Sequence, residues 1–135
     1  MAPPPAFNPG WITGDNINQQ TVDWASNIGF EITRENFELG KPIATSQIRK
    51  FFGEVKRIQA DFEKYKNDIP LLQAKLAYAV GRQSGREKKR FEYFYNQLLP
   101  ALQNINGERE NYMRFVKILE SIVAFHKFHG GKENP

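Results

Sequence analysis

The sequence predicts an all-α protein, a single bundle of four to five helices with a flexible Pro-rich N-terminal arm. Three observations lead there. Apolar residues recur at three- and four-residue spacing in long stretches, which is the signature of a helix with one buried face. No apolar–polar alternation bounded by hairpin turns is found, so strands have no support. The 135 residues, 40% hydrophobic and 25% charged, make one domain of ordinary composition that is large enough to bury a core without staples.

The segment Thr45–Asn67 shows the clearest pattern. Ile48, Phe51, Phe52, Val55, Ile58, Phe62 and Tyr65 fall on one face of a continuous helix. Thr45 or Ser46 is expected to cap it by accepting a backbone N–H. Pro70 closes this stretch and sits in the first turn of the next helix, which begins near Asp68, because its missing N–H costs nothing there. That helix turns Leu72, Leu76, Ala79 and Val80 inward and weakens at Gly81, with a break around Gln83–Gly85. A further helix from about Glu87 carries Phe91, Phe94, Leu98, Leu102 and Ile105, and Pro100 should kink or end it.

The last helix, Glu108 to Phe128, places Tyr112, Phe115, Val116, Leu119, Ile122, Val123 and His126 together, with Ile118 and Phe125 broadening the face. So wide a surface implies either a central helix or a partner on its far side. Gly130 and Gly131 stop it. Residues 11–43 are less legible, with a short helix between Asn16 and Asn27 and a linker at Lys41–Pro42. The expected organisation is a flexible tail over 1–15, a helical domain over 16–131 and a C-terminal tail over 132–135.

Composition narrows the chemistry. There is no cysteine, hence no disulfide, thiolate metal site or cysteine nucleophile. The stretch from Met1 to Pro9 has neither the basic nor the apolar region of a signal peptide, and no apolar run is long enough to span a bilayer. A cytoplasmic, membrane-free protein is expected. Of the two histidines, His126 falls on the apolar face and reads as a satisfied core side chain, while His129 lies beyond the helix. No metal-ligand spacing, nucleophile motif or phosphate-binding glycine loop occurs, so neither a catalytic residue nor a cofactor is expected. The sequence does not read as an enzyme.

Charge is more informative. Residues 45–90 hold twelve basic and five acidic side chains, whereas residues 1–44 hold two and five. Such a concentration suits a polyanion. On the helix from Thr45, Arg49 and Lys56 lie one heptad apart on nearly one line, with the small Gly53 and Ala60 beside them. On the next helix Lys75, Tyr78 and Arg82 share the face turned from Leu72 and Leu76, and Arg86 extends the stripe if the helix survives Gly85. Two cations flanking a tyrosine suit phosphates with the ring against sugar or base. Arg86, Lys88, Lys89 and Arg90 read as a solvated or sequence-independent electrostatic cluster. Salt bridging to Glu54, Asp61 and Glu63, or simple solubility, stands as the competing account of these stripes.

Three segments carry a family resemblance: Thr45-Ser-Gln-Ile-Arg49; Lys75-Leu-Ala-Tyr78 followed by Gly81-Arg82; and Glu120-Ser-Ile-Val-Ala-Phe-His-Lys-Phe-His-Gly-Gly131. In this order and spacing they resemble the small subunit of the type III-A CRISPR effector, the Csm complex, over about residues 44–131. Phe125 stands where that family has a tyrosine. The resemblance implies a helical, catalytically inert protein of antiviral defence that stacks in several copies. It also implies a place beside the backbone subunits, contact with the large subunit, and a share in lining the channel of the guide RNA–target RNA duplex. Arg49 and Arg82 carry over as RNA-facing positions because they lie inside matched motifs; Lys56, Lys75 and Arg86 join them by helical geometry. Lys127 and His129 could touch RNA or the next subunit, against a packing role for the rest of that motif. The alternative is a protein–protein adaptor whose basic faces meet acidic partners.

Overall fold

A computed structural model describes residues 4–14 and 16–131; the expected tail at 132–135 lies outside them. Helices run over Gly10–Thr13 (α1), Gln19–Glu31 (α2), Thr45–Ala60 (α3), Phe62–Tyr65 (α4), Ile69–Gly81 (α5), Arg86–Gln103 (α6) and Arg109–Phe128 (α7), with 3-10 turns at Phe37–Leu39 and Lys66–Asp68. No strand occurs among the described residues. The all-α expectation holds.

The axis of the bundle is α7, against which α1, α2 and α3 pack, while α5 and α6 pair with each other. Of the two explanations for its wide apolar face, the central position accounts for most of it: Tyr112, Phe115, Val116, Ile118, Leu119, Ile122 and His126 are all buried. Burial pushes the Tyr112 phenol far above its ordinary pKa, so it stays protonated and donates to Val55 O at 2.7 Å, tying α7 to α3. His126 is the core histidine expected. Its Nε2 lies 2.7 Å from Ile43 O; a carbonyl can only accept, so this nitrogen carries the proton. Helix α2 approaches α7 closely at Gly29, where an added Cβ would stand 2.7–2.8 Å from the α7 backbone at Phe125 and His126.

Several boundaries differ from the pattern. The expected helix over Thr45–Asn67 breaks at Asp61 (φ −146°, ψ 72°). Apolar spacing runs on through the break, so periodicity could not reveal it. Arg57 spans it, reaching Glu54 at 3.3 Å and Asp68 at 3.1 Å, and Phe62 is buried against Tyr112. Neither Thr45 nor Ser46 caps α3. The Gln47 side chain reaches back instead to accept from Ala44 N–H at 2.7 Å. Pro100 does not end α6, which continues to Gln103, where Asn104 Nδ2 donates to Pro100 O at 2.7 Å. The helix expected between Asn16 and Asn27 is longer, starting at an Asn18 cap that accepts from Gln20 and Thr21.

Burial brings two larger corrections. The segment expected as a flexible arm over 1–15 carries Trp11 and Ile12 into the core. Phe7, Trp11 and Trp24 form an aromatic cluster with ring centroids 5.4–5.7 Å apart, and Arg114 Nη1 donates to Ile12 O at 3.0 Å. Aromatic burial therefore outweighs the disorder that proline content suggests. Arg90, expected in a solvated cluster, is 0% exposed. Its guanidinium donates to Glu31 O (2.9 Å), Arg34 O (3.0 Å) and Gly40 O (2.9 Å), gathering the end of α2 and the following loop onto α6.

Both the Arg90 clamp and the Gly29 approach can be tested by stability. Arg90→Leu strands three carbonyls whose only described side-chain donor is removed, and urea unfolding should show a loss of about 3 kcal/mol. Gly29→Val forces α2 away from rigid backbone and should cost about 1–3 kcal/mol by the same measurement; a loss smaller than this range in either variant would contradict the packing described.

Candidate nucleic-acid interface

The α3 face bearing Arg49 and Lys56 is exposed, as the pattern predicts, and Gly53 and Ala60 beside it are exposed as well. An added Cβ at Gly53 would meet nothing within 4 Å, so the surface there is open. Lys56 Nζ lies 5.8 Å from the Phe52 ring, its stem resting along its own helix.

The α5 trio also sits together on the surface. Tyr78 is 69% exposed, and the Arg82 guanidinium lies 5.8 Å from its ring. Lys75, Tyr78 and Arg82 line one wall of a groove of about 630 Å³; Lys50 and Glu54 of α3 line the other, with Leu76, Phe91 and Phe94 among its apolar lining. The α3 stripe does not join this groove. At about 100° per residue, Lys56 lies about 160° around α3 from Glu54, and Glu54 is the residue that Lys75 meets. One continuous cationic track over both helices does not form; two separate basic faces do.

Lys75 realises the competing salt-bridge account, with Nζ 2.8 Å from Glu54 Oε2. The Lys75 hydrogen bond, together with the charge of Lys75 and the nearby Arg57, holds the Glu54 carboxyl below its usual range. Arg57, its pKa pushed up by hydrogen bonds to Asp68 and Glu54, extends this into a chain of alternating charge from Lys75 through Glu54 and Arg57 to Asp68.

Arg86 leaves the stripe altogether. Helix α5 ends at Gly81, and Gly85 adopts φ +62°, a left-handed turn that redirects the chain before α6. The Arg86 guanidinium instead covers the Phe37 ring, 3.9 Å from its centroid. Sequence reasoning does not single out Lys50; its place three residues after Gln47 and four before Glu54, both of which also line the groove, is the signal that could have found it. Arg90 was legible too, since its spacing to Phe94, Leu98 and Ala101 puts it on the apolar face.

At the far end of α7, His129 is half-buried, with Nε2 3.2 Å from Ser26 Oγ and its ring among Phe30, Phe125 and Phe128; Lys127 is exposed. No cluster of three or more His, Asp or Glu able to hold a metal occurs among the described residues.

The Glu54 pairing sets a pH dependence. Its folded-state pKa is depressed, so its contribution is complete well above the unfolded value of 4.5 and fades as pH falls through the lower folded value. Half-exposed pairs are screened, and Glu54→Gln should cost less than about 1 kcal/mol at neutral pH. Urea midpoints of wild type and variant should converge under acid; a gap that widens there would contradict the pairing.

The sequence model of the Csm2 type III-A family matches residues 16–132. A Streptococcus thermophilus protein described as "CRISPR system Cms protein Csm2" is 33% identical over 96 residues, covering 67% of this chain and 76% of that protein. No solved structure matches the chain at a significant level. A match over most of the helical domain, and a relative sharing a third of its aligned residues, agree with the three motifs: the chain belongs to the Csm2 type III-A family, the small subunits of the Csm complex.

Proposed function

We infer that the chain is a non-catalytic small subunit of a type III-A RNA-guided effector, stacking in several copies and contacting the phosphate backbone of the guide–target RNA duplex without reading its sequence. The observation that carries this reading is the exposed α5 face, where Tyr78 stands between Lys75 and Arg82. Long cations can neutralise phosphates while the ring packs on sugar or base. The exposed Arg49–Lys56 stripe supplies a second face, and Arg86 a further cation at the start of α6. Two separate faces suit a subunit that sits between neighbours along an elongated polyanion. Each contact is screened by salt, so firmness comes from several copies acting together. The partners of this reading are guide RNA, target RNA, other copies of the chain, and the backbone and large subunits. The cytoplasm is its setting, and no described helix is long and apolar enough to cross a membrane.

A second reading, an adaptor between protein subunits, draws on the groove. Its apolar lining and the Lys75–Glu54 pair suit a protein segment better than a phosphate chain.

Reconstitution of the effector with Arg49→Ala plus Arg82→Ala separates the two. With those cations gone, target-RNA affinity should weaken roughly three- to tenfold, and its salt dependence should flatten by about one unit of slope for each phosphate no longer neutralised. Unchanged affinity and slope, with crosslinks from Lys75 and Arg49 only to protein, would favour the adaptor.

A further inference from the structure

Phe37 is the most exposed large hydrophobic among the described residues, at 81%, yet its backbone is held at several points. Asn36 Oδ1 accepts from Glu38 N–H at 2.9 Å, and Gly40 N–H bonds back to Phe37 O at 3.3 Å. The buried Arg90 takes Gly40 O at 2.9 Å, and the next residue, Lys41, directs its N–H at Glu87 Oε1, 3.5 Å away. Gly40 itself has φ +66° and abuts Glu87 so closely that no Cβ would fit. The turn is thus clamped to the start of α6 while its ring stands in solvent, and Arg86 covers that ring at 3.9 Å. Lys89 is exposed on the same turn of α6.

An exposed ring normally costs solubility, and a pinned one has little conformational entropy left to lose on binding. Aromatic rings and arginine guanidinium groups are also the surfaces on which unstacked nucleobases are received. The geometry points to Phe37 and Arg86 as a stacking platform for an unpaired RNA base, with an adjoining phosphate held by Lys89, about 60° around α6 from Arg86. This deepens the RNA-contact reading and rests on it, because duplex phosphates alone give no use to Phe37. Glu35 and Glu38 lie on or beside the same turn and repel phosphate, so the strand runs along the α6 side and only the base reaches the ring. Arg86 then acts in stacking rather than as one more member of the α5 stripe.

The test uses the full chain at low salt and two RNA duplexes, one fully paired and one with a single bulged 2-aminopurine, whose fluorescence falls on stacking. Wild type should quench the probe and favour the bulged duplex. Phe37→Ala should abolish quenching and weaken the bulged complex about five- to hundredfold, leaving the paired duplex within about twofold. Phe37→Trp should keep the quenching that Phe37→Ala loses, and Arg86→Lys, which keeps the charge but not the plane, should retain affinity more than quenching. Circular dichroism should be unchanged in all three, since neither side chain is buried. Equal binding of both duplexes by wild type, or a Phe37→Ala effect equal on both, overturns the platform and leaves the phosphate-contact reading standing. Binding of neither RNA, by the chain alone or in the assembled effector, overturns both. Full quenching by Phe37→Ala, coupled with its loss from the assembled complex, makes Phe37 a protein contact and overturns the platform.

Discussion

The buried guanidinium of Arg90 ties the end of α2 and the loop that follows it to α6. Taking a charged group out of water is costly, and only dense hydrogen bonding makes it tolerable. Here the compensation comes from three backbone carbonyls, at residues 31, 34 and 40. Those carbonyls belong to the end of α2 and an irregular loop, the part of the chain least able to satisfy its own polar groups. Burial pulls the Arg90 pKa down, aided by the charge of Arg34 and opposed by Glu31 and Glu35. The same hydrogen bonds fix the α2–α3 connection against α6, and so determine where Phe37 stands relative to Arg86.

This explains why charge read along the sequence misleads in one place and informs in another. Arg86, Lys88, Lys89 and Arg90 form a single basic run, yet Arg90 points inward and the other three outward. Helical spacing distinguishes them, because Arg90 falls in line with Phe94, Leu98 and Ala101. A rule that assigns every cation to the surface overrides that signal. The same rule joins Arg49 and Arg82 into one track. The angular position of Arg49 on its helix is legible, but the packing of α5 against the opposite side of α3 is a tertiary fact that spacing within either helix does not hold.

The apolar face of α7, the start of α5 with Pro70 in its first turn, and the break before α6 were legible because each has a local cause: periodicity, a missing N–H, a cluster of Gly and polar residues. The break at Asp61 was not, because the apolar spacing continues across it and an ion pair between Arg57 and Asp68 holds it. Nor was the N-terminal packing visible. Proline-rich composition suggests an extended chain, while the docking of Phe7, Trp11 and Ile12 depends on a pocket built by α2 and α7. Of the candidate interface, exposure was legible and mutual placement was not.

The aromatic cluster at the N-terminus has a spectroscopic consequence. The chain has two tryptophans, and both stand in that cluster, 5.7 Å apart and buried. Tryptophan emission, excited to the red of tyrosine absorption, therefore gauges docking of this one segment, and a red shift on dilution or assembly would signal undocking there.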